Sequence, residues 1–255
     1  MLRIHQPASL LTLSFAVSLT LGYTGTLRPQ ENGLRYGFIT EVWVAPNGDK
    51  VPFDLFVPHH YTGKELFPLI LFLHGAGERE GGKQKPVDVG LGPAIRKYGE
   101  KDFPFFVLFP RCRANRNWMA DGDDAQRAMA ILEFVQNKYK IDERRIYLTG
   151  LSLGGFGTWS LAARYPDKWA AIVPICGGGN PEWAEKIKHI PVWCFHGDQD
   201  KAVRVELSRR MIEALKAAGA SPRYTEYPGV GHNCWDLAYN TKELYAWLLS
   251  QKRPR

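Results

Sequence analysis

The residues of this 255-residue chain best placed to do chemistry are Ser152, in Gly150-Leu151-Ser152-Leu153-Gly154, the aspartates Asp198 and Asp200, and His232. A serine hydroxyl is a weak nucleophile until an imidazole takes its proton. That imidazole must in turn be oriented and charge-stabilised by a carboxylate. The chain supplies the three in the order Ser, Asp, His. A nucleophile of this type also needs backbone N–H donors for the oxyanion of a tetrahedral intermediate. Leu153, following the serine, is expected to give one. The second is assigned to Ala76 in His74-Gly75-Ala76-Gly77-Glu78, where small residues let the backbone approach.

The elements that must position these groups are legible around them. Arg145 to Thr149 reads as a buried strand and Gly155 to Arg164 as a helix ending at Tyr165-Pro166, so Ser152 falls on a strand-to-helix turn. Tyr36 to Val44 and Val51 to Val57 read as strands of a hairpin turning at Pro46-Asn47-Gly48-Asp49. Strands and helices then alternate: strands at 68–73, 103–109, 170–175, 191–195 and 223–227, with helices at 92–98, 123–139 and 205–218. A final helix carries Leu244, Trp247 and Leu248. That order predicts an α/β fold, a mostly parallel sheet with an N-terminal antiparallel hairpin and helices on both faces. In such sheets ligands sit at the carboxyl ends of strands. Ser152, Asp198, Asp200 and His232 all follow strands.

Composition sets the remaining bounds. With 45% hydrophobic residues, one large core and one catalytic domain over residues 36–255 are expected, after a segment at 23–35. Residues 1–22 read as a secretory signal: Arg3 forms a short positive region and an uncharged, largely apolar run follows. An uncleaved anchor is the alternative, although the run is short for a span of about 20 apolar residues. Losing Arg3 takes the net charge from +7 to +6. No nucleic-acid motif is visible, and the scattered basic residues read as a solvated surface. Cys112, Cys176, Cys194 and Cys234 would allow three disulfide pairings in an oxidising compartment. Metal-ligand spacing is absent, and no metal or other cofactor is expected.

On these motifs the chain resembles the α/β-hydrolases, over about Tyr36 to Gln251. It is most similar to small secreted or periplasmic esterases of the polyhydroxyalkanoate-depolymerase, feruloyl-esterase and phospholipase/carboxylesterase types. The stretches carrying the likeness are Leu73-His74-Gly75-Ala76-Gly77-Glu78, Gly90-Leu91-Gly92-Pro93, the serine pentapeptide, His196-Gly197-Asp198-Gln199-Asp200-Lys201-Ala202-Val203 and Gly231-His232-Asn233-Cys234-Trp235. The family pattern H-G-x-x-D-x-x-V implies Asp200 as the acid, with Asp198 as the alternative. Glu80 departs from the glycine many relatives carry there.

The resemblance implies a serine hydrolase acting on carboxylic esters. Only 15 residues separate Ile175 from Pro191, too few for a separate cap domain, which suits bulky, polymeric or carbohydrate-linked esters. Trp118 and Trp235 are candidate substrate-stacking residues, and Arg111 and Arg113 candidate contacts for an acidic substrate. A prolyl-oligopeptidase-like peptidase is the alternative activity, disfavoured because the residues before the first strand cannot hold a propeller. A non-catalytic binding protein of this fold is the remote alternative, disfavoured by the intact Ser, Asp and His.

Overall fold

A computed structural model of the protein describes residues 33–254. The signal assigned to 1–22 and nearly all of the segment 23–35 lie outside the described residues. The chain divides after Leu34, and everything below belongs to the unit beginning at Arg35. Its strands are β1 (Gly37–Val44), β2 (Lys50–Val57), β3 (Phe67–Leu73), β4 (Phe106–Phe109), β5 (Ile141–Leu151), β6 (Ala171–Ile175), β7 (Trp193–Gly197) and β8 (Arg223–Tyr227). The helices are α1 (Leu91–Tyr98), α2 (Asp123–Lys138), α3 (Leu153–Arg164), α4 (Ala184–Ile187), α5 (Glu206–Ala217), α6 (Trp235–Tyr239) and α7 (Lys242–Ser250).

The strands form one sheet in the order β1-β2-β4-β3-β5-β6-β7-β8. The hairpin β1–β2 is antiparallel and joins β4 antiparallel, and from β4 to β8 every pairing is parallel. This is the expected α/β architecture. β3 is buried along its whole length, which is why it reads as an unbroken apolar run rather than an alternating one. On one face Ile70, Phe72, Val107, Phe109, Tyr147, Val173 and Phe195 pack with residues of α1, α6 and α7 into one core. The alternate residues Leu69, Leu71 and Leu73 are equally buried on the other face, where Gly157 of α3 lies against Leu73.

Several boundaries differ from the sequence expectation for local reasons. β4 begins at Phe106 rather than Phe103, because its pairing starts at Phe106 on β3 and at Val107 on β2, and Pro104 has no N–H for a ladder. Phe103 and Phe105 remain buried, packed edge-on or tilted against Tyr245. β5 starts earlier, at Ile141, paired with Phe67 across a register shift. Helix α3 starts at Leu153, two residues sooner than expected, and its glycines explain how. A Cβ on Gly154 would lie 1.9 Å from the Leu73 carbonyl oxygen, and one on Gly155 2.4 Å from that of Ile175. The helix therefore begins directly on β3 and β6, with its N-terminus at the sheet's carboxyl edge.

The segment between β6 and β7 holds a 3₁₀ turn at Pro181–Trp183 and the four-residue α4. The fold is thus without a separate cap among the described residues.

Candidate active site

Ser152 joins β5 to α3 with φ +52° and ψ −115°, in a region that L-residues avoid. Its N–H donates to the Ile175 carbonyl at 3.0 Å, which pins the turn to the neighbouring strand. Strain held in this way lifts the hydroxyl clear of the sheet edge. The first N–H groups of α3, beginning with Leu153 directly after the serine, have no partner within the helix.

The candidate acid comes from the loop after β7. Asp200 Oδ1 accepts the N–H groups of Ala202 (2.8 Å) and Val203 (2.9 Å). Its Oδ2 lies 2.7 Å from His232 Nδ1. Burial alone would raise this carboxyl, but the Val203 N–H, the His232 contact and the Ala202 N–H outweigh it and hold Asp200 below its ordinary value. Asp198, the alternative, instead accepts the Gly229 N–H at 2.7 Å. It ties down the histidine loop rather than meeting the ring.

His232 stands between the two, with Nε2 2.9 Å from Ser152 Oγ. Asp200 as acceptor assigns the ring proton to Nδ1, leaving the Nε2 lone pair toward the serine. The loop reaches this position because residue 197 is glycine: a Cβ there would lie 2.3 Å from the Val230 oxygen and 2.5 Å from that of Gly231. Gln199 N–H donates to that Val230 oxygen at 2.9 Å, joining the acid and histidine loops.

The loop after β3 is built around His74. This ring is buried, donates from Nδ1 to the Gly75 oxygen at 2.6 Å and accepts the Cys112 N–H on Nε2 at 3.0 Å. Burial pushes it down to about 4, so it is neutral near pH 7. Ala76 opens a 3₁₀ turn next in the chain and is exposed. Glu78, closing the turn, is buried with one carboxyl oxygen unpartnered, and burial raises it.

Trp118 corrects the sequence expectation. It is 1% exposed, its indole N–H donates to the His74 oxygen at 2.9 Å, and its ring meets His74 edge-on. It braces the loop from beneath and has no face to offer a substrate. Trp235 is half-buried, with its ring edge-on to His232 at 5.3 Å. Arg111 donates to the carbonyls of Glu78, Arg79 and Gln84, and Arg113 pairs with Asp123 and Asp124. Both arginines act as braces for loops rather than as free cations.

The four cysteines are buried and unbonded to one another, against the disulfide pairings that the sequence allowed. Cys176 follows β6 at φ +40°, and its sulfur, a carboxylate oxygen of Asp200 and a ring nitrogen of His232 lie within 4.8 Å of one another. This is the grouping among the described residues with metal-ligand spacing. Burial pushes the Cys176 thiol well up, so it is protonated and a poor ligand near pH 7.

Residues 112–238 match the Dienelactone hydrolase family model and residues 53–164 the BD-FAE model. Poly(3-hydroxyalkanoate) depolymerase C of Paucimonas lemoignei is 32% identical over 123 residues, 44% of this chain and 28% of that protein. Carboxylesterase SOBER1 of Arabidopsis thaliana is 28% identical over 189 residues, 64% of this chain and 82% of its own length. A solved thermostable esterase superposes with a TM-score of 0.77 at 36% identity, covering 85% of this chain and 63% of that one. The chain has the α/β-hydrolase fold. It spans under two thirds of both the depolymerase and the thermostable esterase.

Two buried histidines escaped the sequence reading of the site. His74 opens the quoted loop motif, yet nothing in sequence says that its ring folds back under that loop. His196 opens the H-G-x-x-D motif, and its Nε2 lies 3.1 Å from Asp200 Oδ2. The i, i+4 spacing of His196 and Asp200 was visible, but the loop between them is not a helix, so spacing alone did not bring them together.

Proposed function

We propose that this α/β-hydrolase cleaves carboxylic esters through an acyl-enzyme on Ser152. The observation that carries the reading is the continuous chain from Ser152 Oγ to His232 Nε2 (2.9 Å) and from His232 Nδ1 to Asp200 Oδ2 (2.7 Å). His232 takes the hydroxyl proton as the oxygen attacks the acyl carbon, and Asp200 stabilises the resulting imidazolium. The oxyanion is held by the N–H groups of Ala76 and Leu153. His232 then protonates the departing alcohol, and a water molecule activated by the same ring releases the acid.

The esterase and depolymerase relatives favour an ester over an amide, and the short link between β6 and β7 favours bulky or polymeric acyl groups. Trp235 is proposed to line the acyl or alcohol side. Export through residues 1–22, to the periplasm or the exterior, is part of the same proposal and would bring such polymers within reach.

Turnover on a panel of p-nitrophenyl, feruloyl and acetyl-sugar esters, with peptide amides alongside, tests the reading. Ester cleavage that falls by roughly 10⁴-fold or more in Ser152→Ala is expected. Equal turnover by that variant, or cleavage of amides alone, would overturn it.

A further inference from the structure

Asp200 is held by two imidazoles, not one. His196 is fully buried at the end of β7, with Nε2 3.1 Å from Asp200 Oδ2 and 3.0 Å from the Val203 oxygen. Two acceptors face this nitrogen, so it carries the ring proton. Nδ1 is then the acceptor and meets Ser208 Oγ at 2.7 Å. Ser208, on α5, is itself buried: its oxygen accepts the Cys194 thiol at 3.4 Å, and its single hydroxyl proton is shared between the Gly177 oxygen (2.9 Å) and His196 Nδ1. Burial lowers the basicity of His196, in keeping with a neutral ring.

A carboxylate offers about four lone-pair positions. On Asp200 these are filled by Ala202 N–H, Val203 N–H, His232 Nδ1–H and His196 Nε2–H. We propose that His196 is a positioning residue of the active site: anchored by Ser208, it donates the fourth hydrogen bond to Asp200 and thereby sets how much of the carboxylate charge reaches His232. The inference rests on the catalytic reading above. Its physical content is competition on one oxygen, since Oδ2 serves both rings. Without the His196 donor, more charge faces His232, its imidazolium is favoured, and the free base needed for catalysis is reached only at higher pH.

Other ionisable groups around this pair are steady through the relevant range. Cys176, at the end of β6, and Cys194, on β7, are pushed up by burial, the latter to about 12. Glu226 of β8, opposite His196 in the register, is held down by Arg209 of α5 and by Tyr224, whose own hydroxyl is pushed up by burial and by that carboxylate.

The test is the pH profile of ester kcat/KM, and of covalent labelling by a fluorophosphonate, for wild type, His196→Leu, His196→Gln and Ser208→Ala. Thermal melts check that each is folded. His196→Leu is expected to move the acid limb up by about one pH unit, the equivalent of one charge-assisted hydrogen bond. His196→Gln, whose amide N–H replaces Nε2–H without titrating, should return the limb to the wild-type position. Ser208→Ala keeps the ring but frees it to turn, and should move the limb the same way by less, which keeps the test alive if the leucine variant does not fold. A lower plateau with an unmoved limb in every variant would make His196 a packing residue and overturn the inference. Wild type that neither turns over esters nor labels would overturn the catalytic reading instead, and the inference with it.

Discussion

His74 gives the fold a predictable weakness in acid. The ring is fully buried under the loop that carries Ala76, with both nitrogens engaged, and burial takes it from an ordinary 6.5 down to about 4. The folded state therefore refuses a proton that the unfolded chain accepts. Stability is fully present above about pH 6.5 and is lost as pH falls toward 4, where the folded ring also protonates. At about 1.4 kcal/mol per unit the full penalty is about 3 kcal/mol; integrated from about pH 7.5 it reaches about 1.4 kcal/mol at pH 5.5 and about 2.5 kcal/mol at pH 4.5. Depressed carboxylates such as Asp124, Asp142 and Asp200 contribute their losses lower, as pH falls below about 4. Urea melts of wild type and His74→Gln across this range isolate the histidine, since His196 and the raised Glu78 are common to both proteins. The difference between the two proteins should change by about 2.5 kcal/mol from pH 7.5 to 4.5, wild type losing more. A pH-independent difference would refute the reasoning, because it would mean that His74 titrates alike folded and unfolded.

Three further outcomes follow from the site's construction. Trp118→Phe keeps the ring bulk but leaves the buried His74 oxygen without its 2.9 Å donor, so a loss of about 1–3 kcal/mol is expected by urea melt, with kcat falling more than KM rises. Gly154→Ala puts a Cβ 1.9 Å from the Leu73 oxygen and must part α3 from β3; a loss above about 4 kcal/mol, or no soluble protein, is expected. Asp200→Asn should lower kcat by roughly 10⁴-fold, whereas Asp198→Asn should weaken the Gly229 contact and leave kcat within about tenfold.

The strands and the serine turn were legible because their physics is local. A continuous apolar run such as Phe67–Leu73 has few alternatives to a central strand, and glycines at 150, 154 and 155 mark a helix seated hard on a sheet. The strand-end placement of Ser152, Asp200 and His232 followed from the α/β order alone. What the sequence did not disclose depends on packing between distant segments. Whether Trp118 faces solvent or supports His74 is decided by a contact 44 residues away in sequence. The second ring on Asp200 depends on a loop folding back and on Ser208 reaching across from α5. Helix α6 was missed because its five residues are too few to show a period. The fate of the cysteines was equally hidden, because spacing does not say whether buried thiols are bridged.

The most direct test of the central claim is intact-mass and peptide mapping of the protein quenched during turnover of a p-nitrophenyl ester. One acyl group per chain, located on Ser152 and absent in Ser152→Ala, is the predicted result. Ester turnover with no acyl group at Ser152, or with the group on another side chain, would contradict the account.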